Sequence, residues 1–293
     1  MILVIGATGL LGSEICRRLS EHGESLRALA RKTSDGAKVQ RLKTLGAEVV
    51  QGDLKDRASL DAACRGMSTV ITTASTTLSR QPDDSIGAVD QDGQLQLVDA
   101  AREAGVAQFI YVSVSANIDV DCPLHTAKRT VERHLQKSGM TYTILRPSFF
   151  VEVWLSPALG FDFSNGTARL FGSGQQPISW ISLGDVAEFA VRCVGHPAAR
   201  NAVIELGGPE ALSPDEVVRT FEQVTGRHFE TEHVPETALQ AQWRTAEDPL
   251  QKSFAALMLG CAHGDSIDMR QTLKAFPLRE LTVREYAARV TAG

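Results

Sequence analysis

The sequence lacks the patterns that mark disulfide-rich, metal-binding and membrane-spanning proteins. Its five cysteines are far apart, odd in number and without a CxxC, which argues against a disulfide framework or a zinc site. Its seven histidines form no HxxxH pair, and we expect no metal. No apolar run approaches the roughly 20 residues that span a bilayer. Met1 leads straight into a strand-like run rather than a signal segment, so we expect a cytoplasmic protein without membrane association.

Charge is not concentrated in any part of the chain either. Thirty basic and 35 acidic side chains give a net charge of −5, with no basic block and no long acidic run. A nucleic-acid partner is therefore not expected. We expect a small-molecule ligand and a monomer or homodimer.

The first half of the chain alternates short apolar runs with amphipathic stretches. This alternation predicts an α/β fold with a doubly wound, Rossmann-type parallel sheet. The predicted strands are 2–6, 25–31, 47–53, 68–75, 108–115 and 141–147. The predicted helices lie near 10–22, 35–46, 56–65, 90–105 and 124–138. We expect residues 1–147 to form this nucleotide-binding domain.

After Pro147 the alternation ends, and residues 148–293 predict a smaller, partly discontinuous region on the substrate side. A helix near 183–195 and a strand in "AVIELGG" are expected there, with some helices packing back on the first domain. "SPDE" predicts a helix capped by Ser213, with Pro214 at its first position.

The segment "VIGATGLLG" places three glycines between the first strand and the first helix. One glycine makes a tight turn, one lets the backbone approach a pyrophosphate, and one lets the helix pack against the strand. Backbone N–H groups at the helix start then face the anion. The residues expected at the phosphates are Gly6, Thr8, Gly9, Leu10, Leu11 and Gly12. A tight strand–helix turn without a ligand is the alternative.

The end of the second strand indicates which dinucleotide would bind. An acidic residue there binds the ribose hydroxyls of NAD, whereas this chain has Arg31 and Lys32, and an arginine at this place binds a 2′-phosphate. The pair favours NADP(H), unless it is an ordinary solvated pair. Asp53 is expected either at the adenine amino group or as a helix cap. Further cofactor contacts are expected from Leu54, Thr73, Ala74 and Ser75.

Several segments together resemble the NmrA-like and isoflavone-reductase-like atypical short-chain dehydrogenase/reductases. These are "GATGLLG", "RALAR", "GDLKD", "YVSVSAN", "AKRTVERHLQKSGMTYTILRPSFFVE" and "ISLGDVAEFAV". The resemblance is clear over about residues 1–195 and looser beyond. It implies either an NAD(P)H-dependent reductase of aromatic or quinone-type substrates, or an NADP-binding redox sensor with little or no catalysis.

The helix "PLHTAKRTVERHL" has a lysine but not the tyrosine that often precedes it by four residues in such enzymes. Leu124 stands at the tyrosine position, and Lys128 falls within the apolar stripe of the helix. A lysine on a sheet-facing side needs a partner. The resemblance implies that Lys128 binds the nicotinamide ribose; it is also a candidate acid or base. The alternative is a packed stem with an ammonium that reaches solvent.

No other tyrosine is placed to replace the missing one, unless Tyr286 folds back to the site. Tyr111 lies inside the fifth strand, Tyr142 starts the sixth at the end away from the ligand edge, and Tyr286 lies near the carboxyl terminus. The proton-donor candidates are Lys128, Ser115, His125, expected to be solvent-exposed, and water. Lys128 and Ser115 are the predicted catalytic residues, and Ser113 is expected beside the nicotinamide; a turn cap is the alternative for either serine.

Seven of the 17 aromatic residues fall within 149–180. They line an apolar pocket or form the core of the smaller region. "RPSFF" follows the sixth strand, so Pro147, Phe149 and Phe150 are expected near the nicotinamide, and Phe150 and Trp154 at the substrate. Asp185 fits a capping pair with Ser182 rather than a catalytic acid.

These expectations converge on an NADPH-dependent reductase that passes a hydride to an apolar aromatic or quinone-like acceptor without the usual tyrosine acid. The alternative is a non-catalytic NADP(H)-binding redox sensor that acts through a protein partner. A sugar-nucleotide epimerase is disfavoured by the missing tyrosine.

Overall fold

A computed structural model describes residues 1–78 and 81–292. Within them the strands are β1 (Ile2–Ile5), β2 (Leu26–Ala30), β3 (Glu48–Gln51), β4 (Thr69–Thr72), β5 (Gln108–Val112), β6 (Thr141–Pro147), β7 (Phe161–Asp162), β8 (Thr167–Phe171), β9 (Ala202–Leu206) and β10 (Glu230–Val234). Seven of these strands form one sheet in the order β3-β2-β1-β4-β5-β6-β9, and the pairings among β1 to β6 are parallel.

The helices of the described chain lie between these strands and after the last of them. They are α1 (Leu10–Glu21), α2 (Gly36–Thr44), α3 (Arg57–Cys64), α4 (Gln94–Glu103), α5 (Pro123–Gln136), α6 (Val151–Trp154), α7 (Leu183–Arg192), α8 (Pro214–Thr225), α9 (Glu236–Thr245), α10 (Pro249–His263), α11 (Arg270–Ala275) and α12 (Val283–Thr291). A π-helical turn, Ile86–Gly93, runs directly into α4. None of the helices in these residues is long and apolar enough to cross a membrane.

The central strands are buried along their whole length. Every residue of β1, β4 and β5 is buried, so alternate side chains are covered on both faces of the sheet. This is why the runs read as continuous apolar segments rather than alternating ones. The doubly wound parallel sheet predicted from the sequence is confirmed.

The chain divides into two compact units that are interleaved in sequence. The first comprises Met1–Ser113, Pro123–Leu145 and Val186–Ile204; the second comprises Val114–Cys122, Arg146–Asp185 and the chain from Glu205 onward. A single boundary at residue 147 does not describe this division. The segment Val186–Ile204 contacts the rest of the first unit: Glu188 on α7 forms an ion pair with Arg18 on α1 at 2.5 Å.

The second unit has a small sheet of its own. Its order is β10-β8-β7, with β8 and β10 parallel and β7 and β8 antiparallel. Helix α8 begins with the predicted cap: Ser213 accepts from the backbone N–H of Glu216, whose carboxylate accepts from the Ser213 N–H in return.

Candidate cofactor site

The glycine loop between β1 and α1 is too tight for side chains at two of its positions. Gly6 has φ +82°, and its carbonyl accepts from the Gly9 N–H at 2.9 Å. A Cβ on Gly12 would lie 2.1 Å from the Gly6 carbonyl oxygen. Helix α1 has no side-chain cap and no acidic residue in its first turn. This bare, close-packed helix start fits a pyrophosphate, which the uncapped N–H groups and the helix dipole would bind.

The loop that follows β4 lies against the glycine loop. A Cβ on Gly6 would meet the Thr73 hydroxyl at 2.8 Å and the Ala74 nitrogen at 2.9 Å. Thr73 and Ala74, which the sequence placed at the cofactor, therefore lie directly against the glycine turn. Ser75, which follows them, shares a hydrogen bond of 3.3 Å with Thr77.

Two buried polar residues from the neighbouring helical segment hold this loop. Gln94 on α4 donates to the Ala74 carbonyl at 3.0 Å. Asp90, in the π-helical turn, accepts from the N–H and the hydroxyl of Thr76 at 3.1 and 2.7 Å. Both residues are fully buried. π-Helical turns are often found at functional sites, where they redirect side chains.

Asp90 also faces Lys128. The Lys128 ammonium is buried, 3.9 Å from Asp90 Oδ1, 3.4 Å from the Val112 carbonyl at the end of β5, and 5.2 Å from the centre of the Tyr111 ring. Only 7% of the side chain is exposed, so the alternative of an outward-reaching lysine is wrong. Burial lowers the pKa of Lys128, and the nearby Asp90 and Glu132 carboxylates partly oppose that shift.

The two serines after β5 have different surroundings. Ser113, in the first unit, donates to Glu132 at 2.5 Å, and Glu132 also pairs with Arg129. Ser115, in the second unit, is fully buried and donates to Asp265 at 2.9 Å. The hydroxyl proton of Ser115 is therefore directed at a carboxylate of its own chain.

His125 is buried rather than solvent-exposed. The exposure expected from the helical wheel is wrong because the buried face of α5 is broader than its apolar stripe. The buried face includes the polar residues His125, Lys128 and Glu132 as well as the apolar ones.

At the carboxyl end of β2, Arg31 is engaged by a carboxylate. Its guanidinium lies 2.6 Å from Asp84, whereas the next residue, Lys32, is exposed. Asp53 accepts from the Lys55 N–H at 2.9 Å, and the cap of α3 is Asp56, which accepts from Ala58 and Ser59. The alternative in which Asp53 caps this helix is therefore wrong, because the chain makes a further turn before α3 begins.

A model of the NmrA-like family matches residues 1–287. The chain belongs to this family. It is 31% identical to isoflavone reductase homolog IRL of Zea mays, over 98% of this chain and 97% of that protein. It is 30% identical to photosystem II assembly factor Ycf39 of Trieres chinensis, over 80% of this chain and 72% of that protein. The NADPH complex of an NADPH-dependent quinone oxidoreductase from Escherichia coli has the same fold, with a TM-score of 0.81, 23% identity and 99% coverage of both chains. The family and fold predicted from the sequence are confirmed.

In this NmrA-like protein, most of the clustered aromatic residues pack on one another within the second unit. Phe149 lies 4.8 Å from Trp154 and 6.2 Å from Trp180, and Trp154 lies 6.0 Å from Phe171, as ring-centre distances. The cavity that Trp154, Phe171 and Trp180 help to line has a volume of about 20 Å³. These four rings therefore belong to the core of the second unit, which was the alternative to a substrate pocket. Pro147 is buried and Phe150 is half-buried.

The capping pair predicted at α7 is confirmed. Ser182 accepts from the Asp185 N–H at 2.9 Å and donates to the Asp185 carboxylate at 2.7 Å. Asp185 also accepts from the Leu281 N–H at 3.0 Å, which explains an acidic residue here without a catalytic role.

Sequence reasoning missed Asp90 and Gln94, which both hold the β4 loop in the NmrA-like fold; Asp90 also faces Lys128. A signal for them is present in "IGAVDQDGQLQLV". The two polar residues are four apart, on the helical face that also contains Ile86, Val89 and Leu97. A buried acid on the face of one helix and a buried lysine on another predict a pair only once both helices are placed.

Proposed function

We propose that this chain binds NADP(H) and reduces an apolar aromatic or quinone-like acceptor. The observation that carries the proposal is the buried Lys128 ammonium at the end of β5, linked through Asp90 to the loop beside the glycine turn. The names of two similar proteins, an isoflavone reductase homolog and an NADPH-dependent quinone oxidoreductase, support this substrate class.

The cofactor would extend along the carboxyl edge of the sheet in the first unit. The glycine loop would hold the pyrophosphate through backbone N–H groups, and Arg31, with Lys32 beside it, would hold the 2′-phosphate. Asp53 is left for the adenine amino group, since Asp56 serves as the cap. Leu54, the β4 loop, Ser113 and the Pro147–Phe150 segment are the further contacts we propose. When bound, NADPH supplies the hydride.

Lys128 is the proposed catalytic residue. Its ammonium is held against Asp90 and the Val112 carbonyl and is able to bind ribose hydroxyls or to stabilise and protonate a developing oxyanion. Leu124, at the usual tyrosine position, is buried and apolar, so no phenol assists there. A quinone needs less help from a protein acid than an isolated ketone does. We assign the proton to Lys128 or water rather than Ser115, whose hydroxyl already donates to Asp265.

A second candidate is an NADP(H)-binding protein with little turnover that acts through a partner. The similarity to Ycf39, named as an assembly factor, favours it. So does the packing of Trp154, one of the two proposed substrate contacts, against Phe149 and Phe171.

The test combines binding with turnover. Affinities for NADPH and NADP⁺ are measured by calorimetry, and NADPH oxidation is followed with a panel of quinones and aromatic ketones. Lys128→Met is compared with Lys137→Ala, an exposed lysine just after the same helix. We expect Lys128→Met to lower kcat by roughly 100-fold while NADPH still binds, and Lys137→Ala to behave as wild type. Tight binding without turnover on any acceptor would support the second candidate.

A further inference from the structure

The Asp84 carboxylate forms ion pairs with two cations that follow the second and third strands, Arg31 and Lys55. Asp84 Oδ2 lies 2.6 Å from the Arg31 guanidinium, and Asp84 Oδ1 lies 2.5 Å from the Lys55 ammonium. The same Oδ2 accepts from the Gln81 N–H at 2.7 Å, so the turn that precedes the π-helix presents the carboxylate to both cations.

Asp84, Arg31 and Lys55 are shielded from solvent, so screening by water weakens their ion pairs less than it would at an open surface. The Asp84 side chain is 1% exposed, against 26% for Arg31 and 23% for Lys55. Burial favours the neutral acid, but hydrogen bonds from Gln81, Lys55 and Arg31 outweigh it and hold the pKa of Asp84 below its usual value. Asp83, the neighbouring acid, also contacts Lys55 but is 75% exposed.

The Asp84 carboxylate lies at the end of the second strand, where dinucleotide-binding folds select between NAD and NADP. In dinucleotide-binding folds, an acid after the second strand selects NAD, and an arginine there accommodates the 2′-phosphate of NADP. This chain has the arginine in sequence, and it acquires an acid at the same place through folding. Asp84 and a 2′-phosphate are both anions, and both would bind Arg31, so they oppose each other at short range.

We propose that Asp84 is an internal competitor of the 2′-phosphate for Arg31 and Lys55, and that it sets how strongly NADP(H) is preferred over NAD(H). Lys55 is then a second phosphate-binding cation, released together with Arg31 when the carboxylate is exchanged for phosphate. This inference rests on the proposed binding of NADP(H) and names the residues that tune it.

The experiment measures Kd for NADPH and NADH in wild type, Asp84→Asn and Asp83→Asn. We expect Asp84→Asn to bind NADPH roughly tenfold more tightly, a gain of about 1.4 kcal/mol, with NADH affinity changed by less than about twofold. Asp83→Asn, which removes an exposed charge from the same cluster, should leave the NADPH to NADH ratio close to the wild-type value. In an Arg31→Ala background the gain from Asp84→Asn should be smaller.

Folding of each variant is checked by circular dichroism. If Asp84→Asn does not fold, Lys55→Met tests the proposal independently, because it removes the second proposed phosphate-binding cation. We expect it to weaken NADPH and leave NADH unchanged. An Asp84→Asn variant that binds both cofactors equally more weakly, or that keeps the wild-type ratio, would overturn the inference and leave a purely structural role for Asp84. Wild-type protein that binds neither cofactor would overturn the proposed function as well.

Discussion

At the scale of single residues, Lys128 shows how burial and a neighbouring charge work against each other. Desolvation disfavours its ammonium, whereas Asp90, 3.9 Å away, favours it. Asp90 Oδ1 has no hydrogen-bond partner among the described residues, so the lysine is its nearest compensating charge. The pair is therefore held by electrostatics rather than by a close hydrogen bond.

Removing the Asp90 charge should change the pH dependence of turnover. In Asp90→Asn the larger of the two opposing effects is lost, only that of Glu132 remains, and burial lowers the Lys128 pKa further. If protonated Lys128 is the active form, activity is then lost at a lower pH. We expect the alkaline limb of kcat to move down by about one pH unit, measured from a pH profile of NADPH oxidation.

The matched control is Asp92→Asn, an exposed acid two residues along the same π-helical turn. It should leave the alkaline limb in place. An Asp90→Asn enzyme with a lower rate but the wild-type pH profile would show that Asp90 only holds the Thr76 loop.

At the scale of elements, the sequence was most informative where spacing alone fixes geometry. The glycine triplet, the stripe of α5 and the Ser213 cap are local patterns, and each has the predicted form in the structure. The π-helical turn at Ile86–Gly93, in which Asp90 contacts the β4 loop, was not predicted. The role of Asp53 was ambiguous in sequence, between an adenine contact and a helix cap, and the structure gives the cap of α3 to Asp56.

Two glycine-to-alanine substitutions should have opposite consequences for the elements that contain them. In Gly12→Ala the new Cβ would lie 2.1 Å from the Gly6 carbonyl, so α1 must move away from β1. We expect the free energy of unfolding to fall by roughly 1–3 kcal/mol. We also expect NADPH binding to weaken. Gly36→Ala, at the first residue of α2, meets nothing within 4 Å and should be neutral or stabilising by up to about 1 kcal/mol.

Urea denaturation and NADPH titration measure both variants. Equal stability of Gly12→Ala and wild type would mean that the strand–helix turn has room that the structure does not show. If Gly12→Ala has wild-type stability but no longer binds NADPH, the added methyl group interferes only with cofactor binding and not with the packing of α1.

At the scale of the whole molecule, packing in the second unit produces a buried acid that the sequence does not reveal. Glu280 is 6% exposed, its Oε1 has no hydrogen-bond partner among the described residues, and Asp185 is close enough to repel it. Burial, with a smaller contribution from Asp185, raises the pKa of Glu280 to about 7, above the ordinary 4.5.

The raised pKa makes stability depend on pH with a definite sign. Between pH 4.5 and about 7 the folded protein retains a proton that the unfolded chain has lost, so the free energy of unfolding falls as pH rises through this window. Glu280→Gln removes this cost. We expect the variant to match wild type near pH 4.5 and to exceed it by on the order of 2 kcal/mol at pH 8.

Urea denaturation at the two pH values checks this, with the exposed Glu247→Gln as the control. A Glu280→Gln variant whose stability relative to wild type is the same at both pH values would contradict the raised pKa.

The sequence by itself determined the parallel sheet and the tight glycine turn, because each follows from a local period or from glycine spacing, whereas the burial of the Lys128 ammonium was settled by the structure. The tertiary structure alone decided which charges meet. Asp90 faces Lys128 and Asp84 faces Arg31 across separations of 38 and 53 residues. It also returned Val186–Ile204 to the first unit. Pairing of distant side chains depends on how helices and turns pack, and no periodicity along the chain encodes it.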